Sequence, residues 1–234
     1  MLIYIRFRRC VNPIARERVR QGTRQGFLGL ATKLSIGEFM ILLLRHGQTE
    51  FNREGRFQGH VDSPLTELGI RQAEAMGGLV RDLIGEDKGW RVVASPLGRA
   101  YRTAEVVANV VGLTDIEIDP RLIEITFGDW DGRLRAEIEA EAGPAFTRSG
   151  WDFSAPNGEP FEAVVARTSA WLESLPPEPE RRVIAVSHGV TTRVLRGVYA
   201  SFDRATTLDQ PVPQDAVYRL QNGQIDRFDC EPVE

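Results

Sequence analysis

Two histidines in this sequence each follow a short apolar run. His46 comes after MILLLR, and His188 comes after RRVIAVS. A neutral imidazole can act as a nucleophile, and the planar guanidinium forks of Arg45 and Arg99 match the oxygens of a phosphate group. No serine, cysteine or set of metal ligands competes for the nucleophile's role. If these side chains meet, they are suited to phosphoryl transfer through a phosphohistidine.

The surrounding sequence alternates apolar runs with helical patterns. MILLL predicts a strand buried on both faces, RVVAS and DIEID predict further strands, and RRVIAVSHG predicts a strand that ends beside His188. Helices are predicted over LTELGIRQAEAMGGLVRDLI with Thr66 as N-cap, over LGRAYRTAEVVANVVG closed by Gly112, and over VTTRVLRGVYA. Two strands around Asn222 and Gly223 are predicted to form a hairpin.

This alternation predicts one three-layer α/β/α domain over residues 40–234, with a mostly parallel sheet and a C-terminal antiparallel hairpin. In such sheets the binding crevice lies beyond the carboxyl ends of the strands. Residues 45–47, Ser95 leading to Arg99, and residues 187–189 all follow predicted strand ends. We therefore expect them to converge at one edge of the sheet.

Composition limits the class of protein. The chain has 234 residues, of which 42% are hydrophobic and 26% charged, as is ordinary for a globular protein. No window of eighteen consecutive apolar residues is present to span a bilayer. Cys10 and Cys230 lie near opposite ends and offer neither a disulfide framework nor zinc-ligand spacing, so we expect a reducing, cytoplasmic location.

Charge is distributed unevenly. Residues 1–39 hold eight Arg or Lys against two Glu, a net charge of +6, and because the whole chain carries −4, residues 40–234 carry −10. An acidic body disfavours nucleic acid as a partner and requires any anion site to be a local patch of arginines. We expect a small phosphorylated substrate, no nucleic acid, no stable membrane association, and a monomer or a homodimer.

The basic N-terminal extension, residues 1–39, allows three interpretations. Its Arg-rich, acid-poor composition resembles an organelle transit peptide. Alternatively, translation begins at Met40 and the extension is a start-site artefact, or the extension is a disordered tail. We expect one of the last two.

Two motifs near the arginines resemble those of the histidine phosphatase superfamily, also called the phosphoglycerate mutase-like family. RHGQTEFN is similar to the family signature, which implies that His46 is the histidine that becomes phosphorylated and Arg45 its phosphate clamp. Asn52 matches a further residue of the phosphate pocket. SPLGRAYRTA resembles the second arginine motif and places that role on Arg99.

Two later motifs complete the resemblance. RLIEITFGDWDG is similar to the segment that supplies the proton donor, which falls on Glu124, and SHG matches the second catalytic histidine, His188. The resemblance runs from residue 40 to about residue 224 and leaves the N-terminal extension unmatched. Four motifs in the family's order are far more specific than any one of them.

The resemblance implies a mechanism of two displacements. His46 attacks phosphorus, Glu124 protonates the leaving alkoxide, and the Glu124 carboxylate then takes a proton from the water that attacks the phosphohistidine. No metal or other cofactor is implied, because cationic side chains hold the phosphoryl charge. The residues expected to line the phosphate pocket are Arg45, Arg99, His188, Asn52, Gln58, Gly59 and Gly189.

Some of these residues have simpler interpretations. Glu124 is the least certain catalytic residue, since it could be a surface carboxylate or a partner for Arg121. His60 is interpreted as a pocket-rim or solvated residue. We expect Arg102 to pair with Glu105 on its helix rather than bind phosphate.

The proton-donor segment favours a phosphatase. Mutases of the family usually read Glu-Arg-His-Tyr-Gly there, whereas residues 124–128 read Glu-Ile-Thr-Phe-Gly and lack the Arg and Tyr that would bind a second charged group. We therefore expect a metal-independent phosphomonoesterase. The alternatives are a 2,3-bisphosphoglycerate-dependent phosphoglycerate mutase and a non-catalytic phosphate-binding module on the same fold.

Residues 131–158 are predicted to cover the pocket as a lid. Four side chains of this segment are candidates for contact with the leaving group: Arg133, Arg135, Arg148 and Trp151. Phosphorylated sugars, phosphoglycerates, a phosphorylated nucleoside and phosphoserine all stay open as substrates.

Overall fold

The computed structural model describes residues 18–20, 40–87, 89–143 and 153–233. The strands are β1 (Arg18–Arg20), β2 (Met40–Arg45), β3 (Arg91–Ala94), β4 (Ile116–Ile118), β5 (Arg182–Ser187), β6 (Ala216–Gln221) and β7 (Gln224–Asp229). The helices are α1 (Glu50–Glu54), α2 (Glu67–Ile84), α3 (Gly98–Val111), α4 (Arg135–Ala142), α5 (Phe161–Glu173), α6 (Gly189–Tyr199) and α7 (Arg204–Leu208). None of the helices in these ranges is long and apolar enough to cross a bilayer.

The strands form one sheet in the order β1-β7-β6-β2-β5-β3-β4. Strands β2, β5, β3 and β4 run parallel, whereas β6 is antiparallel to both β2 and β7. The predicted parallel sheet with a C-terminal antiparallel hairpin is confirmed. Register aligns the strand ends, since Arg45 lies opposite Ser187 and Ala94 lies opposite Val186. The loops that leave β2, β3 and β5 therefore start side by side.

Local signals in the sequence account for the element boundaries. Helix α2 begins after Thr66, whose side chain accepts a hydrogen bond from Gly69 N, and α3 ends at Gly112 with a φ of 71°. Asn222 and Gly223 both have positive φ, 51° and 71°, as a two-residue type I′ hairpin turn requires. These predictions from the sequence are confirmed.

Strand β2 is buried on both faces. Leu42 and Leu44 belong to the core formed with α2 and α3, whereas Ile41 and Leu43 belong to the core on the opposite side, formed with α5 and α6. All four side chains are fully buried, and full burial of such a side chain contributes about 1.5–3 kcal/mol. The unbroken hydrocarbon run thus anchors the start of the loop that follows it.

Only three residues of the N-terminal extension are described. Arg18–Arg20 add a short parallel strand at the outer edge of β7, with Arg18 opposite Asp226 and Arg20 opposite Phe228. The rest of the extension, on which the expected disordered tail or start-site artefact depends, lies outside the described residues. That expectation stays a prediction.

The loop after β2 and the first turn of α2 touch backbone to backbone. A Cβ added to Gly69 would lie 2.0 Å from the carbonyl oxygen of Gln48, and one added to Gly47 would lie 2.2 Å from the carbonyl oxygen of Gly69. The amide of Thr66 also donates to Gln48 O at 2.9 Å. Since only glycine allows this approach, the two glycines hold the loop against the helix.

The substitution Gly69→Ala is expected to lower the free energy of unfolding by about 1–3 kcal/mol, because the new methyl group must displace backbone. Gly78→Ala on the same helix is the matched control, since a Cβ there meets nothing within 4 Å. It is expected to raise stability by up to about 1 kcal/mol through helix propensity. Urea denaturation of both variants measures the difference, and equal stabilities would contradict the close approach.

Candidate active site

His46 lies in the loop directly after β2, where its amide donates to the carbonyl oxygen of Ser187 at 3.0 Å. Its imidazole is buried, and Nδ1 lies 2.8 Å from the carbonyl oxygen of Gly47. Because a carbonyl oxygen only accepts, Nδ1 carries the ring proton and Nε2 keeps a lone pair. Burial, followed by the charges of Arg99 and Arg45, holds the pKa of His46 well below its usual value, so the ring is neutral.

His188 directly follows β5, at the N-cap of α6, and its ring contacts that of His46. The two ring centroids are 5.1 Å apart, with the ring planes inclined by 60°. The His188 Nε2 atom lies 2.7 Å from Ser95 Oγ, whereas its buried Nδ1 has no hydrogen-bond partner among the described residues. Burial first, and then the charge of Arg99, lowers the pKa of His188 well below its usual value. Ser95 was expected at the end of β3, but no local pattern in the sequence indicates its contact with His188.

Arg45, the last residue of β2, lies over the start of α6. Its Cζ atom would be 3.5 Å from a Cβ added to Gly189, which is van der Waals contact, so the guanidinium group lies directly against the backbone of that glycine. Nη1 donates to the carbonyl oxygen of Val212 at 2.5 Å, and the buried Nε has no partner among the described residues. Burial lowers the pKa of Arg45 to about 10, against an opposing effect of Glu124, so the group is charged at neutral pH.

Arg99 lies in the first turn of α3 and is almost completely buried. Its Nη1 donates to Val61 O at 3.1 Å and to Asp62 Oδ1 at 3.0 Å, and its Nη2 donates to Gly59 O at 2.8 Å. The Nε atom is again buried without a partner among the described residues. Gly59, expected in the phosphate pocket, thus contacts Arg99 through its carbonyl group. Asp62 had no signal in the sequence that marked it as a site residue.

Asn52 is held by the residues around it. Its side-chain Oδ1 accepts from Thr49 N at 3.2 Å and from Gln214 Nε2 at 2.8 Å. Its backbone N–H donates to Thr49 Oγ1, which completes a capping box at the start of α1. The acceptor end of the side chain is therefore occupied, and its Nδ2 is the end that can donate to an anion. Gln58 is buried, with its Oε1 unpaired among the described residues. Gln214 had no signal in the sequence that marked it as a neighbour of the site.

Glu124 follows β4 in the sequence, and its buried carboxylate lies against the N-terminal end of α6. Its Oε2 accepts from Val190 N at 3.1 Å, and its Oε1 accepts from Thr191 N at 3.0 Å. These amides belong to the first turn of α6, which has no side-chain cap of its own, so Glu124 acts as the missing cap. The ion pair between Glu124 and Arg121, which the sequence left open, is not formed, since Arg121 pairs with Asp119 at 2.5 Å.

The remaining predicted residues lie around this cluster. His60 is exposed, and its Nε2 lies 2.9 Å from Glu124 O. Arg102 pairs with Glu105 at 3.1 Å, as predicted. In the predicted lid, Arg133 pairs with Glu141 and Arg135 pairs with Glu139, whereas Arg148 and Trp151 lie outside the described residues.

The cluster is suited to bind a phosphoryl group. Three buried donors or potential donors lack protein partners among the described residues, namely Arg45 Nε, Arg99 Nε and His188 Nδ1. Buried polar groups without partners are costly unless a ligand or water satisfies them. A dianionic phosphoryl group beside the free Nε2 of His46 would satisfy all three.

Comparisons of the sequence with known proteins agree with this chemistry. The family model for the histidine phosphatase superfamily (branch 1) matches residues 41–225. A protein of Erwinia tasmaniensis named "Probable phosphoglycerate mutase GpmB" is 35% identical over 193 residues, which cover 81% of this chain and 84% of that protein. A glucosyl-3-phosphoglycerate phosphatase of Mycobacterium tuberculosis is 36% identical over 162 residues, 64% of this chain and 70% of that protein.

Solved structures show the same architecture. The mycobacterial glucosyl-3-phosphoglycerate phosphatase in complex with VO3 has a TM-score of 0.67 at 28% identity, over 84% of this chain and 99% of that chain. The alpha-ribazole phosphatase from Shigella flexneri has a TM-score of 0.67 at 26% identity, over 84% of this chain and all of that chain, 100%. The chain therefore belongs to the histidine phosphatase superfamily (branch 1) and is an enzyme of the phosphomonoesterase or mutase type.

Proposed function

We propose that this protein hydrolyses the phosphomonoester of a small metabolite through a phosphohistidine on His46. The observation that carries the proposal is the pair of neutral imidazoles 5.1 Å apart, set beside two arginines whose buried Nε atoms lack partners among the described residues. Neutral Nε2 of His46 is nucleophilic, and the arginines attract the phosphoryl group that it attacks.

Charge stabilisation in the transition state comes from fixed donors. Arg45 and Arg99 are oriented by backbone carbonyl groups, so their Nε atoms need no rearrangement to bind the equatorial oxygens. When Ser95 donates to Nε2 of His188, the ring proton resides on Nδ1, and that atom becomes a third donor. Asn52 adds a neutral amide. No metal is required in this scheme, because the positive charge is supplied by side chains.

Glu124 is the proposed proton donor and acceptor. As an acid it protonates the leaving alkoxide when the bond between phosphorus and the leaving oxygen breaks. As a carboxylate it then takes a proton from the water that attacks the phosphohistidine. Its place at the first turn of α6, next to His188, supports this role.

The residues after Glu124 support hydrolysis over mutase activity. Thr126 Oγ1 donates to Asp131 Oδ2 at 2.9 Å and accepts from Gly128 N at 2.9 Å, and the ring of Phe127 packs 5.0 Å from that of Phe57. Ile125 is fully buried. Mutases carry Arg, His and Tyr at these three positions. Here the side chains make structural contacts and provide no cationic or phenolic donor to bind a second charged group.

A phosphoglycerate mutase is the second candidate, favoured by the 35% identity to the GpmB protein. The names of the phosphatases among the relatives, which act on glucosyl-3-phosphoglycerate and alpha-ribazole phosphate, favour a sugar-containing monophosphate as substrate.

We also propose a cytoplasmic location and no nucleic-acid or membrane partner. In support, residues 40–234 carry a net charge of −10, which disfavours nucleic acid and anionic membrane surfaces, and the two cysteines have no disulfide-framework spacing.

Phosphate release from a panel of phosphorylated metabolites, measured in the presence of EDTA, tests the reaction class. We expect hydrolysis of p-nitrophenyl phosphate and of at least one sugar phosphate without added metal. Conversion of 3-phosphoglycerate to 2-phosphoglycerate that depends on 2,3-bisphosphoglycerate and outpaces phosphate release would identify a mutase instead. Absence of any turnover would identify a binding module.

The substitution His46→Asn is expected to abolish turnover and covalent labelling by a ³²P-labelled substrate, because the nucleophile is removed. His188→Ala is the control, which keeps the nucleophile but loses a donor. It is expected to lower turnover while acid-labile label still forms on His46. Label that persists in His46→Asn would assign the nucleophile elsewhere.

The pH dependence of kcat/KM tests the electrostatic role of Arg99. Burial and the two arginines lower the pKa of His46, so protonation removes the nucleophile only below pH 6.5. Removing one charge by Arg99→Gln raises that pKa, and the acidic limb is expected to move to higher pH while kcat/KM falls about 10²-fold or more.

Arg102→Gln is the control for this experiment, since Arg102 lies on the same helix but is exposed and paired with Glu105. Its acidic limb is expected to stay in place. The comparison uses one substrate throughout, so that the ionisation of the substrate's own phosphate cancels. An acidic limb that moves to lower pH in Arg99→Gln would refute the role.

A further inference from the structure

The two carboxylate oxygens of Glu124 have unequal surroundings. Oε1 has three potential donors, which are Ile125 N at 3.0 Å, Thr191 N at 3.0 Å and Thr191 Oγ1 at 3.1 Å. Within the described part of the chain Oε2 has one potential donor, Val190 N at 3.1 Å. Since a carboxylate group offers about four lone-pair sites and three of the four potential donors crowd around Oε1, Oε2 is the oxygen that has room for a proton.

The hydroxyl group of Thr191 has two acceptors and one proton. Its Oγ1 lies 2.6 Å from Ile123 O and 3.1 Å from Glu124 Oε1, and the side chain is fully buried. The proton can therefore point to the Ile123 carbonyl group or to Glu124. A carboxylate is the stronger acceptor, whereas a protonated carboxyl group is a weaker one.

Arg167 restricts this choice further. Its Nη2 donates to Thr191 Oγ1 at 3.1 Å, so the hydroxyl proton cannot point toward Arg167. Donation from a cation also polarises the hydroxyl group and makes it a better donor. Arg167 is held in turn by Glu159, through Nε at 2.9 Å and Nη2 at 3.2 Å, and by Arg121 O at 2.8 Å. These contacts leave Thr191 with the two acceptors named above.

We infer that Thr191 is a positioning residue. Its hydroxyl group keeps its proton but turns from Ile123 O to donate a hydrogen bond to Glu124 Oε1 when Glu124 gives up its own proton. This inference rests on the proposed function of Glu124. In the first displacement the bond from His46 Nε2 to phosphorus forms, the bond to the leaving oxygen breaks, and the proton of Glu124 Oε2 goes to that oxygen. The negative charge left on the carboxyl group is stabilised by the Thr191 hydroxyl group.

In the second displacement the water oxygen bonds to phosphorus, the nitrogen–phosphorus bond breaks, and a water proton returns to Oε2. Thr191 therefore helps most where Glu124 acts as an acid, which is the protonation of the leaving group. That help matters for an alkoxide leaving group. It matters little for p-nitrophenolate, which leaves without a proton.

The experiment compares kcat/KM, which reports the first displacement, for glycerol 2-phosphate and p-nitrophenyl phosphate. Thr191→Val has nearly the same shape but no hydroxyl group. It is expected to lower kcat/KM for glycerol 2-phosphate about tenfold while that for p-nitrophenyl phosphate changes less than about twofold. Thr191→Ser restores the hydroxyl group and is expected to restore both values.

Glu124→Gln separates failure of this inference from failure of the proposed function. It is expected to show the same preference for p-nitrophenyl phosphate, to a larger degree. If Glu124→Gln shows the preference and Thr191→Val slows both substrates equally, Thr191 is a packing residue and the inference is overturned. If Glu124→Gln shows no preference, the role of Glu124 itself is wrong. Thr191→Ala provides the same readout should the valine variant not fold.

Discussion

Positive charge concentrated in a buried space is the constraint on which this site depends. Arg45 and Arg99 are withdrawn from water beside two imidazoles, and both burial and the guanidinium charges disfavour protonation of His46 and His188. The histidines are thereby kept neutral, as the proposed roles of His46 as nucleophile and His188 as neutral donor require. The same charges create a strong preference for a dianion at the point where the rings meet. Nucleophile activation and substrate binding therefore have one physical origin.

Backbone carbonyl groups keep the arginines in place without neutralising them. Arg45 donates to Val212 O, and Arg99 donates to Gly59 O and Val61 O, with Asp62 as its single carboxylate partner among the described residues. A carbonyl group orients a guanidinium group yet leaves its charge available for a ligand. This arrangement differs from the exposed ion pairs of the predicted lid, where a carboxylate accompanies each described arginine. The pocket is cationic within an acidic body because its arginines bind mainly to main chain.

Glu124 links the chemistry to the fold. The same carboxylate that is proposed to move protons accepts the first amides of α6, so the helix that starts beside His188 depends on it for capping. Thr191, Arg167 and Glu159 extend this contact from α6 to α5 and to the segment that leads into α5. Glu124, the proposed proton-transfer group, is thus supported by contacts with α6 and, through Thr191, with α5 rather than by a surface loop. Such support favours a fixed geometry, on which general acid catalysis depends.

The sequence by itself determined strands β2 to β7, the helix caps at Thr66 and Gly112, the hairpin turn and the residues that would converge. Each is encoded locally, because burial on both faces of β2 demands an unbroken apolar run and parallel strands bring their carboxyl ends to one edge. The tertiary structure alone decided which partners orient the site residues by hydrogen bonds. Asp62 on Arg99, Ser95 on His188 and Thr191 on Glu124 are 37, 93 and 67 residues apart in sequence. Contacts over such separations depend on strand register and helix packing, which no local pattern contains.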